Sequence, residues 1–151
     1  MKGFITFIIT FLGLSVAQAY PPAFMGVWEG EGTYILNSDI TNCSYFNLNF
    51  SANMNSFTFV DGVRECEKHS EQFYPVTVQY RDGKLYFGSQ VVGSYSENYM
   101  EMRFSAPEEN GIRHWRMSMR LEGDHLVYEE SRTMNDETTP MISFAGVLIR
   151  Q

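Results

Sequence analysis

Three polar residues occupy alternate positions of one segment whose pattern predicts a β-strand. Tyr128, Glu130 and Arg132 share one face of this segment, because successive side chains of a strand point to opposite sides. A buried polar side chain either bonds to a polar neighbour or meets a ligand. In a ligand site, Arg132 would hold a carboxylate or phosphate through its forked donors, with the Tyr128 hydroxyl beside it. In a purely structural role, Glu130 and Arg132 would neutralise each other at the mouth of a barrel.

The segment before these residues predicts the strand that positions them. Residues 115–121 alternate apolar and polar side chains, and Gly123-Asp124 forms a turn before residues 126–132. Pairing Glu122 with His125 places Met119 opposite Tyr128, Met117 opposite Glu130 and Trp115 opposite Arg132. Extending the pairing backwards predicts Met102 opposite Trp115 and Met100 opposite Met117.

These pairings predict one wall of mixed character. The candidate ligand-binding residues on this wall are Met100, Met102, Trp115, Met117, Met119, Tyr128, Glu130 and Arg132. Methionine is flexible and polarizable, and therefore suits a wall that adapts to an apolar ligand. The same side chains would equally well fill a core, because small barrels are either packed solid or enclose one ligand.

Catalytic and metal-binding patterns are weak. The three histidines, His69, His114 and His125, are not at metal-ligand spacing, and nucleotide, phosphate and nucleophile motifs are absent. We therefore predict neither a metal nor another cofactor. The one enzymatic alternative uses Glu130 as a general acid or base beside Arg132.

The N-terminal residues are typical of a secretory signal peptide. Lys2 precedes an apolar stretch over residues 4–16, and Ala17-Gln18-Ala19 forms a small-residue cleavage site. We expect residues 1–19 to be removed, leaving one domain over residues 20–151, secreted or periplasmic. The alternative, a membrane anchor, needs about 20 apolar residues, and no later segment predicts a membrane span.

The charge argues against one class of partner, and the cysteines agree with that compartment. The net charge of −7 makes nucleic acid a poor partner, because phosphate contacts need clustered Lys and Arg. Two cysteines, Cys43 and Cys66, predict one disulfide in an oxidising environment. A metal or redox pair would need closer spacing.

The remaining pattern predicts eight to ten antiparallel strands in an up-and-down barrel, with a β-sandwich as the second choice. Asp61-Gly62 is either a hairpin turn or a bulge, and the bulge, with a turn at Met54-Asn55, would place Cys43 opposite Cys66. Apart from the hairpin over 115–132, the predicted strands are 26–36, 43–52, 56–60, 63–68, 75–81, 84–92, 95–105 and 141–150.

Both ends of the predicted domain resemble known barrels. Gly26-Val27-Trp28 and Arg150 resemble the calycin superfamily, the lipocalins and their relatives, in which such a tryptophan packs against an arginine from the barrel end. Two regions are similar to nitrobindin-like barrels, namely residues 26–34 and a C-terminal pattern. That pattern includes Leu126, Tyr128, Met134, Thr139-Pro140-Met141, Leu148 and Arg150. This resemblance implies a barrel that binds small apolar molecules. Nitrobindin-like proteins hold haem through a histidine of the last strand, where this chain has Phe144, so haem binding of that type is not expected.

The sequence thus predicts a non-catalytic, calycin-like barrel that binds a small hydrophobic or amphipathic molecule. A second hypothesis is a protein-binding or inhibitor module with a filled barrel, which would contact its partner through loops 67–74 and 106–111. A lipocalin-fold enzyme is the third.

Overall fold

The computed structural model describes residues 22–135 and 138–151, so the expected signal peptide at 1–19 lies outside the described residues. Within these described residues a 3-10 helix, Pro22–Phe24, precedes eleven strands. The strands are β1 (Gly26–Leu36), β2 (Asp39–Ala52), β3 (Ser56–Cys66), β4 (His69–Phe73), β5 (Val76–Arg81), β6 (Lys84–Phe87), β7 (Gln90–Tyr95), β8 (Tyr99–Glu108), β9 (Gly111–Glu122), β10 (His125–Met134) and β11 (Ile142–Arg150).

Ten of these strands form a closed antiparallel barrel, which confirms the predicted fold class. Neighbouring strands follow chain order almost throughout, and β1 closes the ring by pairing with β11. The exception is β3, whose first half pairs with β5 and whose second half pairs with β4. In the described part of the chain β4 pairs only with β3, so its other edge has no strand partner there.

A β-bulge in β3 explains this division. Phe59 lies opposite Phe50 and Asp61 lies opposite Asn49, which leaves Val60 as the extra residue. Asp61-Gly62 is therefore part of a bulged strand rather than a turn. The same register places Cys43 opposite Cys66, and the predicted disulfide is present. Such a bond is compatible with an extracellular or periplasmic protein.

Several predicted segments have different boundaries in the structure. Residues 84–92 are two strands, β6 and β7, because Gly88 turns the chain with a φ of +61° that favours glycine. The predicted strand 95–105 is also divided, since β7 ends at Tyr95 and β8 begins at Tyr99. The segments 67–74 and 106–111, predicted as loops, are wrong in the same way: the first contains β4, and the second contains the end of β8 and the start of β9.

One end of the barrel is closed by the 3-10 helix. Phe24 is buried, and its carbonyl accepts a hydrogen bond of 2.8 Å from Trp28 Nε1. The Arg150 guanidinium lies 4.6 Å from the centre of the Trp28 ring and donates to the Ala23 carbonyl. These contacts fix the 3-10 helix to the first and last strands of the barrel.

Candidate ligand cavity and charged cluster

The hairpin of β9 and β10 has the predicted register. Met119, Met117 and Trp115 lie opposite Tyr128, Glu130 and Arg132, in that order. The prediction for β8 was wrong by two residues, because Met100 lies opposite Met119, Met102 opposite Met117 and Phe104 opposite Trp115. A shift of two residues keeps each side chain on its face, so the inward-facing wall is preserved.

Four charged side chains form a cluster inside the barrel, on strands β3, β4 and β10. The Glu130 carboxylate accepts hydrogen bonds from Arg132 Nε at 2.5 Å, from the Tyr128 hydroxyl at 3.1 Å and from Arg64 Nη1 at 3.4 Å. Glu71 accepts from Arg132 Nη2 at 2.6 Å and from Arg64 Nη2. We call Arg64, Glu71, Glu130 and Arg132 the charged cluster. It contains two positive and two negative groups, and each carboxylate contacts both guanidinium groups.

Arg64 is the most deeply buried member of the charged cluster, with no exposed surface. Aromatic rings surround its guanidinium, at 4.5 Å from the centre of Phe144, 4.9 Å from Tyr34 and 5.3 Å from Phe73. Ring faces attract a cation and shield it from water. His69 stacks on Tyr34, with 4.9 Å between ring centres, and its Nε2 lies 3.7 Å from Glu71.

Burial and ion pairing shift the pKa values of three groups at the site. Burial by itself would raise the pKa of Glu71, but the hydrogen bond from Arg132 and the charges of Arg64 and Arg132 lower it below the usual value. Burial raises the pKa of the Tyr128 hydroxyl well above its usual value, and the Glu130 charge adds to this. Burial opposes the charge of Arg132, but its two carboxylate partners raise its pKa. At neutral pH both Arg132 and Glu71 are charged and Tyr128 is protonated.

An apolar cavity lies beside the charged cluster. Its mouth has a volume of about 420 Å³ and lies between the β4–β5 connection and strands β8, β9 and β10. A smaller inner pocket of about 50 Å³ shares six lining residues with the mouth. The shared residues are Phe59, Phe73, Val76, Phe104, Met117 and Tyr128. The two spaces therefore adjoin, with carbon atoms at the inner end and charged groups at the mouth.

The predicted binding residues divide into two groups. Met117 and Tyr128 line both parts of the cavity, Met102 lines the inner pocket, and Trp115, Glu130 and Arg132 line the mouth. Met100 and Met119 have no exposed surface, and they pack in the core without lining either part.

Arg64 and Glu71 were missed from the sequence. Arg64 lies directly opposite Glu71 in the β3–β4 pairing. One signal could have pointed to Arg64, because it is two residues from Cys66 and therefore shares the face of a disulfide cysteine. Glu71 gave no comparable signal, since the short strand β4 reads as a polar loop.

Metal-binding groups and membrane-spanning helices were sought in the residues that the structure covers. Within them, no group of three or more histidine, cysteine, aspartate or glutamate side chains is placed to hold a metal ion. No helix in the same residues has the length and apolar character required to span a membrane.

No model of a protein family matches the chain, and no curated protein matches it.

Proposed function

We propose that this chain is a secreted or periplasmic, calycin-like barrel that binds a small, largely apolar ligand without catalysis. The observation that carries this proposal is the cavity beside the charged cluster. Its mouth of about 420 Å³ falls within the range of roughly 300–1,000 Å³ that is typical of small-molecule sites. A few polar groups beside a mainly apolar wall are also typical of such sites.

The rim of the cavity supports the same function. Tyr74 and Phe87 line the mouth, and they are 75% and 55% exposed. Phe87 packs edge-on against Phe104 inside the mouth, with 6.2 Å between ring centres. Apolar surface therefore continues from the rim into the cavity, as an entry path for an apolar molecule requires.

The site also argues against the two other hypotheses, a filled-barrel interaction module and an enzyme. A filled-barrel interaction module has no need of an apolar space that opens to the surface. An enzyme with Glu130 as acid or base would need the carboxylate to reach a substrate, whereas its oxygens accept hydrogen bonds from Tyr128, Arg132 and Arg64. Ligand binding in the cavity does not require these hydrogen bonds of Glu130 to break.

A displacement assay tests ligand binding. We expect N-phenyl-1-naphthylamine to gain fluorescence in the cavity and to be displaced by medium-chain alcohols. Met117→Trp fills the space shared by the two parts of the cavity, and we expect at least a tenfold loss of probe affinity. Val147→Trp is the matched control, because Val147 lies on the exposed outer face of β11 and is 52% exposed. Circular dichroism checks that both variants are folded, and Val76→Trp at the mouth serves if the first variant is not.

Two results would contradict the proposal. One is a wild-type protein that binds no probe and carries no small-molecule mass in native mass spectrometry after purification from its own source. The other is a Met117→Trp variant that is folded and binds the probe as well as the Val147→Trp control.

The expected compartment is tested separately. We expect the protein recovered from its native source to begin at Tyr20, after removal of residues 1–19, and intact-mass measurement would show this. The calycin likeness rests on the sequence pattern, and the contact between Trp28 and Arg150 supports it.

A further inference from the structure

The charged cluster constrains the chemistry of the ligand's polar end. Glu71 and Glu130 each accept hydrogen bonds from both arginines, and Glu130 also accepts from Tyr128. Two of the three guanidinium nitrogens of Arg132 donate to these carboxylates. Among the residues that the structure describes, the third nitrogen, Nη1, has no acceptor, and Arg132 lines the mouth. Arg64 Nε also has no partner among the described residues, but it is fully buried and Arg64 lines neither part of the cavity. The unpaired donor at the cavity therefore belongs to Arg132.

We propose that the ligand is an amphipathic molecule with an uncharged hydrogen-bond acceptor, such as an alcohol, ketone or ester, at its polar end. This inference rests on the proposed function, because it assumes that the cavity holds a ligand. The acceptor would lie against Arg132 Nη1, and the hydrocarbon part would lie along Phe104 and Met117 toward the inner pocket.

Charge balance argues against a carboxylate or phosphate head. An anion at Arg132 would also lie near Glu71 and Glu130, whose oxygens are 2.6 and 2.5 Å from the same guanidinium. Since two arginines and two glutamates cancel, no net field compensates an anion for the water that it loses. One of the two sequence-based interpretations had Arg132 hold a carboxylate or phosphate of the ligand; in the structure its carboxylate partners are Glu71 and Glu130.

The same balance argues against a cationic head. Each carboxylate is already paired with two guanidinium groups, so an ammonium group would have to displace an arginine to reach an oxygen. A neutral acceptor needs no such exchange, because it needs only a hydrogen bond from the unpaired Arg132 Nη1.

The experiment compares four probes of similar length: octan-1-ol, octanoate, octylammonium and nonane. Each competes with N-phenyl-1-naphthylamine for the full chain at pH 7.5. We expect octan-1-ol to bind at least tenfold more tightly than either charged probe, and more tightly than nonane, which lacks an acceptor.

A charge-altering variant identifies the cause of this selectivity. Glu71→Gln gives the charged cluster a net positive charge, and we expect the ratio of octanoate affinity to octan-1-ol affinity to rise at least fivefold. Glu129→Gln is the matched control, because it changes the net charge equally on the outward face of β10, where Glu129 contacts Ser118. We expect that variant to keep the wild-type ratio.

The outcomes separate this inference from the proposed function. If octanoate or octylammonium binds as tightly as octan-1-ol, or if nonane does, the uncharged-acceptor inference is overturned while ligand binding stands. A Glu71→Gln ratio equal to that of Glu129→Gln also overturns it, since the charged cluster would then not set the preference. If none of the four displaces the probe, or the probe itself does not bind, the proposed function fails as well.

Discussion

Replacing Arg64 with methionine removes the buried positive charge and keeps an unbranched apolar stem. Two carboxylates, Glu71 and Glu130, would then share only Arg132, so the interior would carry one uncompensated negative charge. Methionine can keep favourable contacts with the surrounding rings through its sulfur. The change therefore tests the charge of Arg64 more than its packing.

The size of the effect follows from the burial of each partner. Removing one member of a buried ion pair costs about 3–5 kcal/mol, because the other charge is left unpaired. Glu130 keeps Arg132 and Tyr128, and the Glu71 side chain is 22% exposed, so water can solvate part of the excess charge. We therefore expect Arg64→Met to lower the free energy of unfolding by about 3 kcal/mol, at the low end of that range.

A double-mutant cycle separates the charge from other effects of the substitution. Arg64→Met combined with Glu71→Gln restores balance, with one arginine and one glutamate remaining. We expect the double variant to be more stable than the sum of the single losses predicts, by about 1–3 kcal/mol. Urea unfolding of the disulfide-intact proteins, followed by tryptophan fluorescence, measures each free energy.

The matched control is an exposed ion pair on β9. Arg120 and Glu122 are 2.7 Å apart with both side chains more than half exposed, and the cycle Arg120→Met with Glu122→Gln should give a coupling below about 1 kcal/mol. An Arg64→Met loss below about 1 kcal/mol, or coupling no larger than in the control cycle, would refute the role given to the buried charge.

Three further predictions concern pH, covalent linkage and packing. Because the pKa of Glu71 is lowered in the folded state, its stabilising contribution is complete above its unfolded pKa of about 4.3 and is lost as pH falls through the folded value. Glu71→Gln should therefore weaken the acid dependence of the free energy of unfolding between about pH 5 and pH 2, and an unchanged slope would contradict this. Replacing Cys43 and Cys66 with serine should cost about 3 kcal/mol in urea unfolding, because the bond links residues 23 apart in sequence, and a loss below about 1 kcal/mol would count against it. Gly93→Ala should cost about 1–3 kcal/mol, because the added Cβ overlaps the Glu101 carbonyl, whereas the exposed neighbour Ser94→Ala should change stability by less than about 0.5 kcal/mol.

The hairpin of β9 and β10 was predictable because its turn fixes its register. Gly123 takes a positive φ at the turn, and alternation on both sides then assigns each side chain to a face. The register of β8 against β9 was predicted wrongly by two residues, since β8 extends past Pro107 to Glu108 and shortens the connection to β9. Alternation still placed the methionines on the inward face, so the wall was found despite the error.

The charged cluster was only half predictable. Tyr128, Glu130 and Arg132 follow from period-two alternation in one strand. Arg64 and Glu71 reach them from β3 and β4, at sequence separations of 66 and 61 residues. Local spacing does not encode contacts of that range, and a strand as short as β4, with polar and apolar residues mixed, lacks a clear pattern.

Strand β4 is joined to the opposite wall through side chains. In the described residues its backbone pairs only with β3, whereas Glu71 connects it to Arg132 on β10. The ion pairs that position β4 at the mouth are thus the same groups that a charged ligand head would have to displace. A head that took Arg132 away from Glu71 would weaken the wall of its own site, whereas a neutral acceptor on Nη1 leaves both carboxylate contacts in place. Stability of the mouth and the proposed selectivity for an uncharged ligand would therefore depend on one arrangement of charges, and Glu71→Gln should alter both together.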